Sequence, residues 1–323
     1  MTPENAPLVR PTVQIVSPLR YPGSKRRLVG YLAEALRLSD LRPDLLIEPF
    51  AGGASVSLQL LTSGAVHRAA LGEKDRLVAD FWRTVFADPD YLCREVRRWT
   101  PSVADWERLR SLSPRTARTR ARKCLFLNRT SFSGVLADTA GPIGGKAQAS
   151  AYGIGCRFPK GRLQRRIRQA AALAPRVPLV HHGDWHDAVE TALSLVDPRN
   201  AFVYLDPPFY RKADRLYRHH FDDAEHARLA DGVASLAERG VPFLLSYDDA
   251  DEVAALYLDR GLTPSRVELV YSAKGEGGPA PAAELVVSNL PKLPGATRVW
   301  RTQAEWTAGG DGQVSAELPT VRS

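Results

Sequence analysis

The sharpest chemical signal in the sequence is a tetrapeptide, Asp-Pro-Pro-Phe at residues 206–209, that directly follows the apolar run 201–205. The amino group of a nucleic-acid base is a poor nucleophile, because its lone pair is delocalised into the ring. A carboxylate and a fixed backbone carbonyl can accept its two hydrogens, which aims the lone pair at an electrophile. Proline fixes the carbonyl by restricting φ, and an aromatic ring can stack on a base extruded from its helix. We therefore predict a site that activates an amino group, made of Asp206, Pro207, Pro208 and Phe209.

A second signal is a glycine turn after another apolar run. Residues 44–50 (DLLIEPF) lead into Ala51-Gly52-Gly53, and Glu73 stands about 20 residues further on, where a ribose hydroxyl would be held. The G-x-G-x-x-G pattern of dinucleotide sites is absent, which disfavours a nicotinamide cofactor. Beside the Asp-Pro-Pro-Phe site this turn indicates S-adenosyl-L-methionine, although by itself it is equally typical of a plain tight turn.

Two further segments carry polar groups suited to ligands. Residues 21–25 (YPGSK) precede a predicted helix, where Lys25 and backbone N–H groups would face a carboxylate; the alternative is an ordinary turn. Asp184 lies among three histidines in residues 181–186. We predict no metal there, because nothing completes a matched ligand set and neighbouring histidines on a strand point to opposite faces.

The net charge of +8 is unevenly distributed. Residues 108–183 contain sixteen basic residues and a single acid, Asp138, so that segment carries +15 and the remainder carries −7. A basic insert of this kind is the electrostatic signature of nucleic-acid binding. The alternative is a solvated, arginine-rich helix with no partner.

The order of predicted elements indicates an α/β fold interrupted by the basic segment. Apolar runs predict strands at 44–50, 65–72, 177–180, 201–205 and 241–246, and an antiparallel pair at 267–271 and 284–288. Helical spacing predicts helices at 28–38, 56–61, 77–86, 115–128, 163–174 and 223–239, with a loop at 134–161.

Composition excludes several classes of protein. The apolar runs are shorter than the ~20 residues that a membrane span needs, and residues 1–17 lack the apolar region of a secretory signal. Three scattered cysteines argue against a disulfide framework. We expect a cytoplasmic, nucleoid-associated enzyme, monomeric in solution.

Taken together, the motifs resemble those of the Dam-type DNA adenine-N6 methyltransferases, in the same order and over about residues 17–291. The shared segments are 21–25, 48–53, Glu73, 126–134, 183–184, 206–209 and 284–289. The resemblance implies a class I S-adenosylmethionine-dependent methyltransferase (Rossmann-like) sheet with an inserted target-recognition domain. The expected catalytic domain is 17–92 and 177–293, the basic insert is 93–176, and 294–323 is a flexible tail.

The resemblance also implies roles for individual residues. The cofactor would contact Tyr21, Gly23, Lys25, Phe50, Ala51, Gly52, Glu73, Asp184 and Asp206. From the insert we select as DNA-binding Arg118, Arg122, Lys123, Asn128, Arg129, Lys146, Arg157 and Arg162, with a structural role as the alternative for Asn128. Glu73 stands where aspartate is commoner, and Phe209 replaces the commoner tyrosine, so a phenol hydrogen bond is lost.

The expected function is methyl transfer from S-adenosyl-L-methionine to the amino group of a flipped adenine in double-stranded DNA. The first alternative keeps the chemistry but changes the target to cytosine-N4 or to adenine in RNA. The second is a DNA-binding protein that retains only the scaffold. The expected partners are DNA and a cognate restriction endonuclease that acts separately. Beyond residues 128–134 the insert diverges from the Dam enzymes, so no recognition sequence is inherited.

Overall fold

The structure is a computed structural model that describes residues 15–21, 25, 28–137, 139–210, 221–270, 281–295 and 298–299. Within these residues it contains eight strands in one sheet and ten helices. The strands are β1 (Leu45–Glu48), β2 (Arg68–Glu73), β3 (Leu179–His182), β4 (Ala201–Leu205), β5 (Phe243–Asp248), β6 (Ser265–Val270), β7 (Pro281–Ser288) and β8 (Arg298–Val299). The helices are α1 (Val29–Leu38), α2 (Ser55–Ser63), α3 (Arg76–Ala87), α4 (Pro89–Arg98), α5 (Val103–Ser111), α6 (Ala117–Thr130), α7 (Lys160–Ala171), α8 (Trp185–Leu193), α9 (Asp223–Glu238) and α10 (Asp251–Leu258).

The sheet has the strand order β3-β2-β1-β4-β5-β7-β6-β8. Strands β1 to β5 are parallel, and β7 runs antiparallel to both β5 and β6. Chain order reverses between β1 and β4, and in open α/β sheets such a reversal is where ligands bind, at the carboxyl ends of the strands. The predicted α/β sheet with a final antiparallel pair is therefore confirmed.

Strands at the centre of the sheet are buried on both faces, which explains their continuous apolar sequences. All of β1 and β4 is buried, and Phe202 and Tyr204 of β4 pack with Leu46 on one face, while Val203 and Leu205 pack on the other. None of the helices in the described part of the chain has the length and hydropathy needed to cross a bilayer.

Helices α3 to α7 form a layer against the β2 side of the sheet. Trp82 of α3 and Phe126 of α6 belong to one buried cluster that also includes Leu71 of β2. Arg120 of α6 donates to Asp80 of α3, so an ion pair joins the same two helices. The basic insert therefore packs on the sheet through a shared core. The domain boundaries remain a prediction.

Differences from the predicted elements have local causes. Periodicity did not predict four of the helices, α4, α5, α8 and α10. Three of them, α4, α5 and α8, begin at a residue whose side chain caps the helix. In α5, for example, the Ser102 hydroxyl accepts from the Asp105 N–H. Helix α7 begins three residues before the predicted position, directly after Pro159. Within the predicted tail, Arg298 and Val299 pair with β6.

Candidate active site

The two strongest sequence motifs lie side by side at the carboxyl edge of the sheet. Strands β1 and β4 pair in parallel, with Leu45 opposite Ala201 and Ile47 opposite Val203. The residues that follow them, Phe50 to Gly52 after β1 and Asp206 after β4, therefore leave the sheet at the same edge. This is the position that the strand-order reversal assigns to a ligand.

A buried lysine lies between two carboxylates at this edge. Lys25 Nζ is 3.4 Å from Asp206 Oδ1 and 2.9 Å from Glu284 Oε1, and Lys25 is 5% exposed. The same ammonium lies 5.4 Å from the centre of the Phe209 ring. We predicted Lys25 against a cofactor carboxylate; in the structure its charge is balanced by carboxylates of the protein, and its contact with cofactor stays a prediction.

The surroundings of Asp206 shift the pKa of its carboxyl towards neutral pH. Burial raises the pKa of its carboxyl to about 7, against the opposing effect of Lys25, which lowers that pKa; the charge of Glu284 adds to the rise. Its side chain is nevertheless 23% exposed, so the carboxylate is accessible at this edge of the sheet. Pro207 is buried, whereas Pro208 and Phe209 are half-buried. The arrangement presents one carboxylate and one ring to the same space.

The glycine turn after β1 is shaped to lie beneath a ring. Gly52 has a φ of +45°, and a Cβ there would lie 2.7 Å from the ring of Tyr21. The Gly52 N–H donates to Glu73 Oε2 at 2.9 Å, and its carbonyl accepts from Trp82 Nε1 at 2.8 Å. Only glycine combines this backbone with so close a contact.

Glu73, the predicted ribose ligand, is bonded within the fold. Its second oxygen accepts from the Asp75 N–H at 2.9 Å, and burial raises the pKa of the carboxyl to about 7. Each carboxylate oxygen keeps a second lone pair, so contact with a ribose remains compatible with this geometry. Asp184 lies nearby, because the Gly183 N–H donates to the Glu73 carbonyl at 3.1 Å.

Asp184, predicted to hold the adenine of the cofactor, begins helix α8. It accepts from the His186 N–H at 3.0 Å and forms a two-point ion pair with Arg228 at 2.6 and 2.9 Å. That ion pair lowers the pKa of the Asp184 carboxyl. Phe50 stacks on Trp185, the residue after Asp184, with ring centres 6.3 Å apart, so apolar rings lie beside Asp184.

The structure thus brings together most of the predicted site. Gly23 lies outside the described residues, so its predicted role has no structural counterpart here. The residues gathered at the carboxyl edge are Tyr21, Lys25, Phe50, Ala51, Gly52, Glu73, Asp184, Asp206, Pro207, Pro208 and Phe209.

Asn128 and Arg129 are buried in the insert, although both were selected as DNA contacts. Asn128 is fully buried, and its amide is bonded to the backbone of Arg20 and to the Gly134 carbonyl. Arg129 is 5% exposed, and its Nε donates to the Arg157 carbonyl at 2.7 Å. Burial and four neighbouring arginines lower the pKa of Arg129 to about 9. The geometry favours the structural alternative for Asn128.

Four other selected residues are bonded within the protein. Arg118 pairs with Asp88 at 2.6 Å, and Arg122 lies 3.5 Å from Glu95. Lys146 pairs with Glu107 at 3.1 Å while staying 73% exposed. The fourth, Lys123, donates to the carbonyls of Arg110 and Leu112 at the end of α5.

Arg157 and Arg162 face solvent, as Arg118 and Lys146 do, but differ from those two residues in their pairing. Both are exposed, and in the described part of the chain neither forms an ion pair. Their charges also lower the pKa of the buried Arg129. The acids that balance the insert, Asp80, Asp88 and Glu95, contact helix α6 instead.

Sequence reasoning missed two residues of the site. Glu48, at the end of β1, accepts from the Ser57 N–H at 3.0 Å and from the Ser57 hydroxyl, and burial raises its pKa to about 8. Glu284 is buried within β7 beside apolar Leu285 and Val286. An acid inside a buried apolar strand needs a partner, and that signal was available in the sequence.

The sheet and its carboxyl-edge site are those of a class I methyltransferase. The model of the D12 class N6 adenine-specific DNA methyltransferase family matches residues 21–271, so the chain belongs to this family. The protein is therefore an adenine-specific DNA methyltransferase with DNA as its substrate. This membership favours the first predicted function over cytosine-N4, RNA and non-catalytic alternatives. A search of curated proteins finds no match to the chain.

Proposed function

We propose that the protein transfers a methyl group from S-adenosyl-L-methionine to N6 of an adenine that has been rotated out of duplex DNA. The observation that carries the proposal is the position of Asp206. It leaves β4 beside the glycine turn of β1, is partly exposed, and is followed by a buried proline and an accessible ring. A methyl donor bound at the turn and the amino group of an adenine can meet at that point.

Asp206 and Pro207 would activate the amino group. The Asp206 carboxylate accepts one hydrogen of the amino group, and the Pro207 carbonyl, fixed by its ring and by Pro208, accepts the other. The lone pair on nitrogen is then directed away from the base. Phe209, whose other face receives the Lys25 ammonium, stacks on the adenine.

The turn after β1 fits S-adenosyl-L-methionine, which supplies a methyl group on a positively charged sulfur. The Tyr21 ring packs on Gly52 where a Cβ would stand, so that ring and turn together would line the cofactor. Glu73 sits at the end of β2, and Asp184 follows β3. Two acids on adjacent strands, beyond a glycine turn, suit a ribose and an adenine amino group. Phe50 would contact the adenine from the Trp185 side.

The surface of the insert around Arg157 and Arg162 supports DNA binding. These exposed charges adjoin the buried Arg129, and the acids that pair with arginines of the insert, Asp80 and Asp88, contact helix α6. Arginines without internal partners can bind phosphate oxygens and fix the orientation of a duplex. The predicted basic insert thus contributes through a smaller set of residues than its charge suggests.

An exposed aromatic ring supports rotation of the base out of the duplex. Phe132 is 70% exposed, and the next residue, Ser133, has a φ of +53°. This turn is tied through Asn128 to the segment that leads into Tyr21. Inserted into the duplex, the Phe132 ring would occupy the space that the adenine leaves.

The test is the Asp206→Ala variant, assayed for cofactor binding by calorimetry and for transfer of labelled methyl to DNA. We expect binding of S-adenosyl-L-methionine to persist and transfer to fall by at least about 10³-fold, the loss expected when a key transition-state contact is removed. Asp197→Ala, an exposed change at the opposite edge of the sheet, serves as the control. Near-normal transfer by the Asp206 variant would refute the proposal.

The remaining expectations stay predictions. They are the domain boundaries at 92/93 and 176/177, action as a monomer, association with the nucleoid, and a separate restriction endonuclease with the same recognition sequence.

A further inference from the structure

Lys25 is held more closely by Glu284 than by the catalytic carboxylate. Its Nζ lies 2.9 Å from Glu284 Oε1 and 3.4 Å from Asp206 Oδ1. The side chains of Lys25 and Glu284 are 3% and 7% exposed, against 23% for Asp206. The ion pair between Lys25 and Glu284 is therefore the shorter and the less exposed of the two.

Glu284 occupies a rigid position at the catalytic edge. In β7 it lies opposite Asp248 of β5 and opposite Val267 of β6, so the backbone ladders of two strands fix it. Because β7 runs antiparallel, its first half is at the carboxyl edge of the parallel strands. Lys25, by contrast, precedes α1 and is outside the sheet. The ion pair thus anchors the N-terminal segment to the strand framework.

A buried carboxylate in this strand is costly in isolation. The following residues, Leu285, Val286 and Val287, are fully buried and apolar. Removing a carboxylate from water costs several kcal/mol unless a counter-charge is placed against it. A lysine pairing with Asp206 alone would balance the charge of the site without Glu284. The second acid therefore calls for a function of its own.

We propose that Glu284 is a positioning residue for methyl transfer: it holds the Lys25 ammonium away from full closure on Asp206, which keeps the Asp206 carboxylate available to the target amino group. This inference rests on the proposed function of Asp206. Glu284 touches neither adenine nor cofactor in this account; it acts through Lys25 and through its charge beside Asp206.

The charges around Asp206 give the proposal a direction. The groups that act on it or respond to it are Lys25, Glu284, Glu48, Tyr204 and Tyr247. Among them, Lys25 lowers the pKa of Asp206 and Glu284 raises it. Replacing Glu284 by a neutral residue removes the raising charge and leaves Lys25 to Asp206, so both effects weaken the carboxylate as an acceptor.

The test is the pH profile of kcat/KM for methyl transfer to DNA by Glu284→Gln, which keeps the shape and loses the charge. The acidic limb of this profile reports the free enzyme. In the parent we expect it near pH 7, and in Glu284→Gln it should move down by about one pH unit, the scale of a nearby buried charge. At pH 8.5 kcat should fall at least tenfold, with KM for DNA within twofold of the parent.

Glu190→Gln is the matched control, because it removes the charge of a glutamate from an exposed pair with Arg239. Its profile should coincide with that of the parent. The Lys25→Met background supplies a second measurement: there, adding Glu284→Gln should lower kcat less than it does in the parent, because only the direct effect of the Glu284 charge on Asp206 remains. This comparison also holds if Glu284→Gln alone folds poorly, because the double variant removes both charges.

An acidic limb that stays in place in Glu284→Gln overturns the inference, and so does an equal loss of kcat in both backgrounds. Failure of the proposed function is a separate result. If the parent protein and Glu190→Gln transfer no methyl to DNA, the role of Asp206 is refuted, and the positioning role of Glu284 with it.

Discussion

The side chain of Asn128 binds both polar groups of the Arg20 backbone. Its Oδ1 accepts from the Arg20 N–H at 2.7 Å, and its Nδ2 donates to the Arg20 carbonyl at 2.5 Å. The same Nδ2 donates to the Gly134 carbonyl at 2.9 Å. One amide therefore joins helix α6, the turn that carries Phe132, and the segment that leads into Tyr21.

Asn128→Ala should destabilise the fold and loosen the cofactor segment. One buried and two part-buried backbone groups lose their partner, which costs about 2–4 kcal/mol of the free energy of unfolding, measured by urea denaturation. Because Arg20 precedes Tyr21, the affinity for S-adenosyl-L-methionine should also fall, by at least about threefold or roughly 0.7 kcal/mol.

Asn289→Ala is the matched control for Asn128. Its amide makes the same two-point contact, accepting from the Phe243 N–H at 2.9 Å and donating to the Val241 carbonyl at 2.8 Å, but at the opposite edge of the sheet. It should lower stability and leave cofactor affinity unchanged. Equal cofactor affinities in the two variants would contradict the link between Asn128 and the site.

Gly52→Ala should weaken cofactor binding while the protein stays folded. A Cβ at Gly52 would lie 2.7 Å from the Tyr21 ring, on a backbone with a φ of +45°. The change therefore displaces Tyr21 from the turn. Calorimetry should detect a loss of at least about tenfold in affinity, or 1.4 kcal/mol.

Gly30→Ala tests whether that loss comes from position or from the substitution itself. Gly30 lies in α1, and a Cβ there meets nothing within 4 Å. Alanine should stabilise this helix by about 0.5–1 kcal/mol and leave binding unaffected. Full binding by Gly52→Ala would show that the turn does not lie beneath the cofactor.

Replacing both Arg157 and Arg162 by alanine should weaken DNA binding and its dependence on salt. Each phosphate contact contributes about −0.9 to the slope of log K against log salt concentration, so the slope should become shallower by about 2. The measurement is fluorescence anisotropy over a series of salt concentrations. Arg199→Ala, exposed and at the opposite edge of the sheet, should leave the slope as in the parent protein. An unaltered slope in the double variant would place the DNA elsewhere.

The buried acid Glu48 should make stability fall as pH rises. Its pKa is about 8 in the folded protein and 4.5 in the reference state, so the folded state retains a proton that the unfolded chain releases. That contribution is complete below about pH 4.5 and is lost as pH rises through about 8. Glu73 and Asp206, with pKa values of about 7, act in the same direction.

Glu48→Gln has the shape of the protonated acid and cannot ionise. Between pH 5 and 8 its free energy of unfolding should fall less steeply than that of the parent, by up to about 1.4 kcal/mol per pH unit. Urea denaturation at several pH values measures this, with the exposed Glu190→Gln as the control. Parallel curves for Glu48→Gln and the parent would mean that Glu48 is ionised in the folded protein.

The sequence alone was sufficient to predict a strand and its site residue where a chemical motif directly followed an apolar run. Strand β4 and Asp206 form one continuous signal, an apolar run that stops at Asp-Pro-Pro-Phe, and the structure has the strand at the predicted residues. The glycine turn could be assigned to a cofactor only beside the Asp-Pro-Pro-Phe site, because Gly52 and Glu73 stand at the spacing of a nucleotide site. Both motifs report local geometry, which neighbouring residues determine.

Contacts between distant residues could not be predicted in the same way. Glu284 and Lys25 are far apart in the chain, and their contact depends on how β7 pairs in the sheet and on where the segment before α1 lies. The choice of DNA-binding residues within the basic insert was limited for a related reason, since net charge does not distinguish an exposed Arg157 from a buried Arg129. Burial depends on tertiary packing, and so do ion pairs such as Arg118 with Asp88.

The central claim, that Asp206 directs methyl transfer to adenine-N6, is tested most directly by nucleoside analysis. The parent protein and Asp206→Ala would each be expressed in a host without DNA methylation, and the DNA digested and analysed by mass spectrometry. We predict N6-methyladenine with the parent protein and none with the variant at equal protein levels. N4-methylcytosine from the parent, or equal N6-methyladenine from both, would contradict the claim.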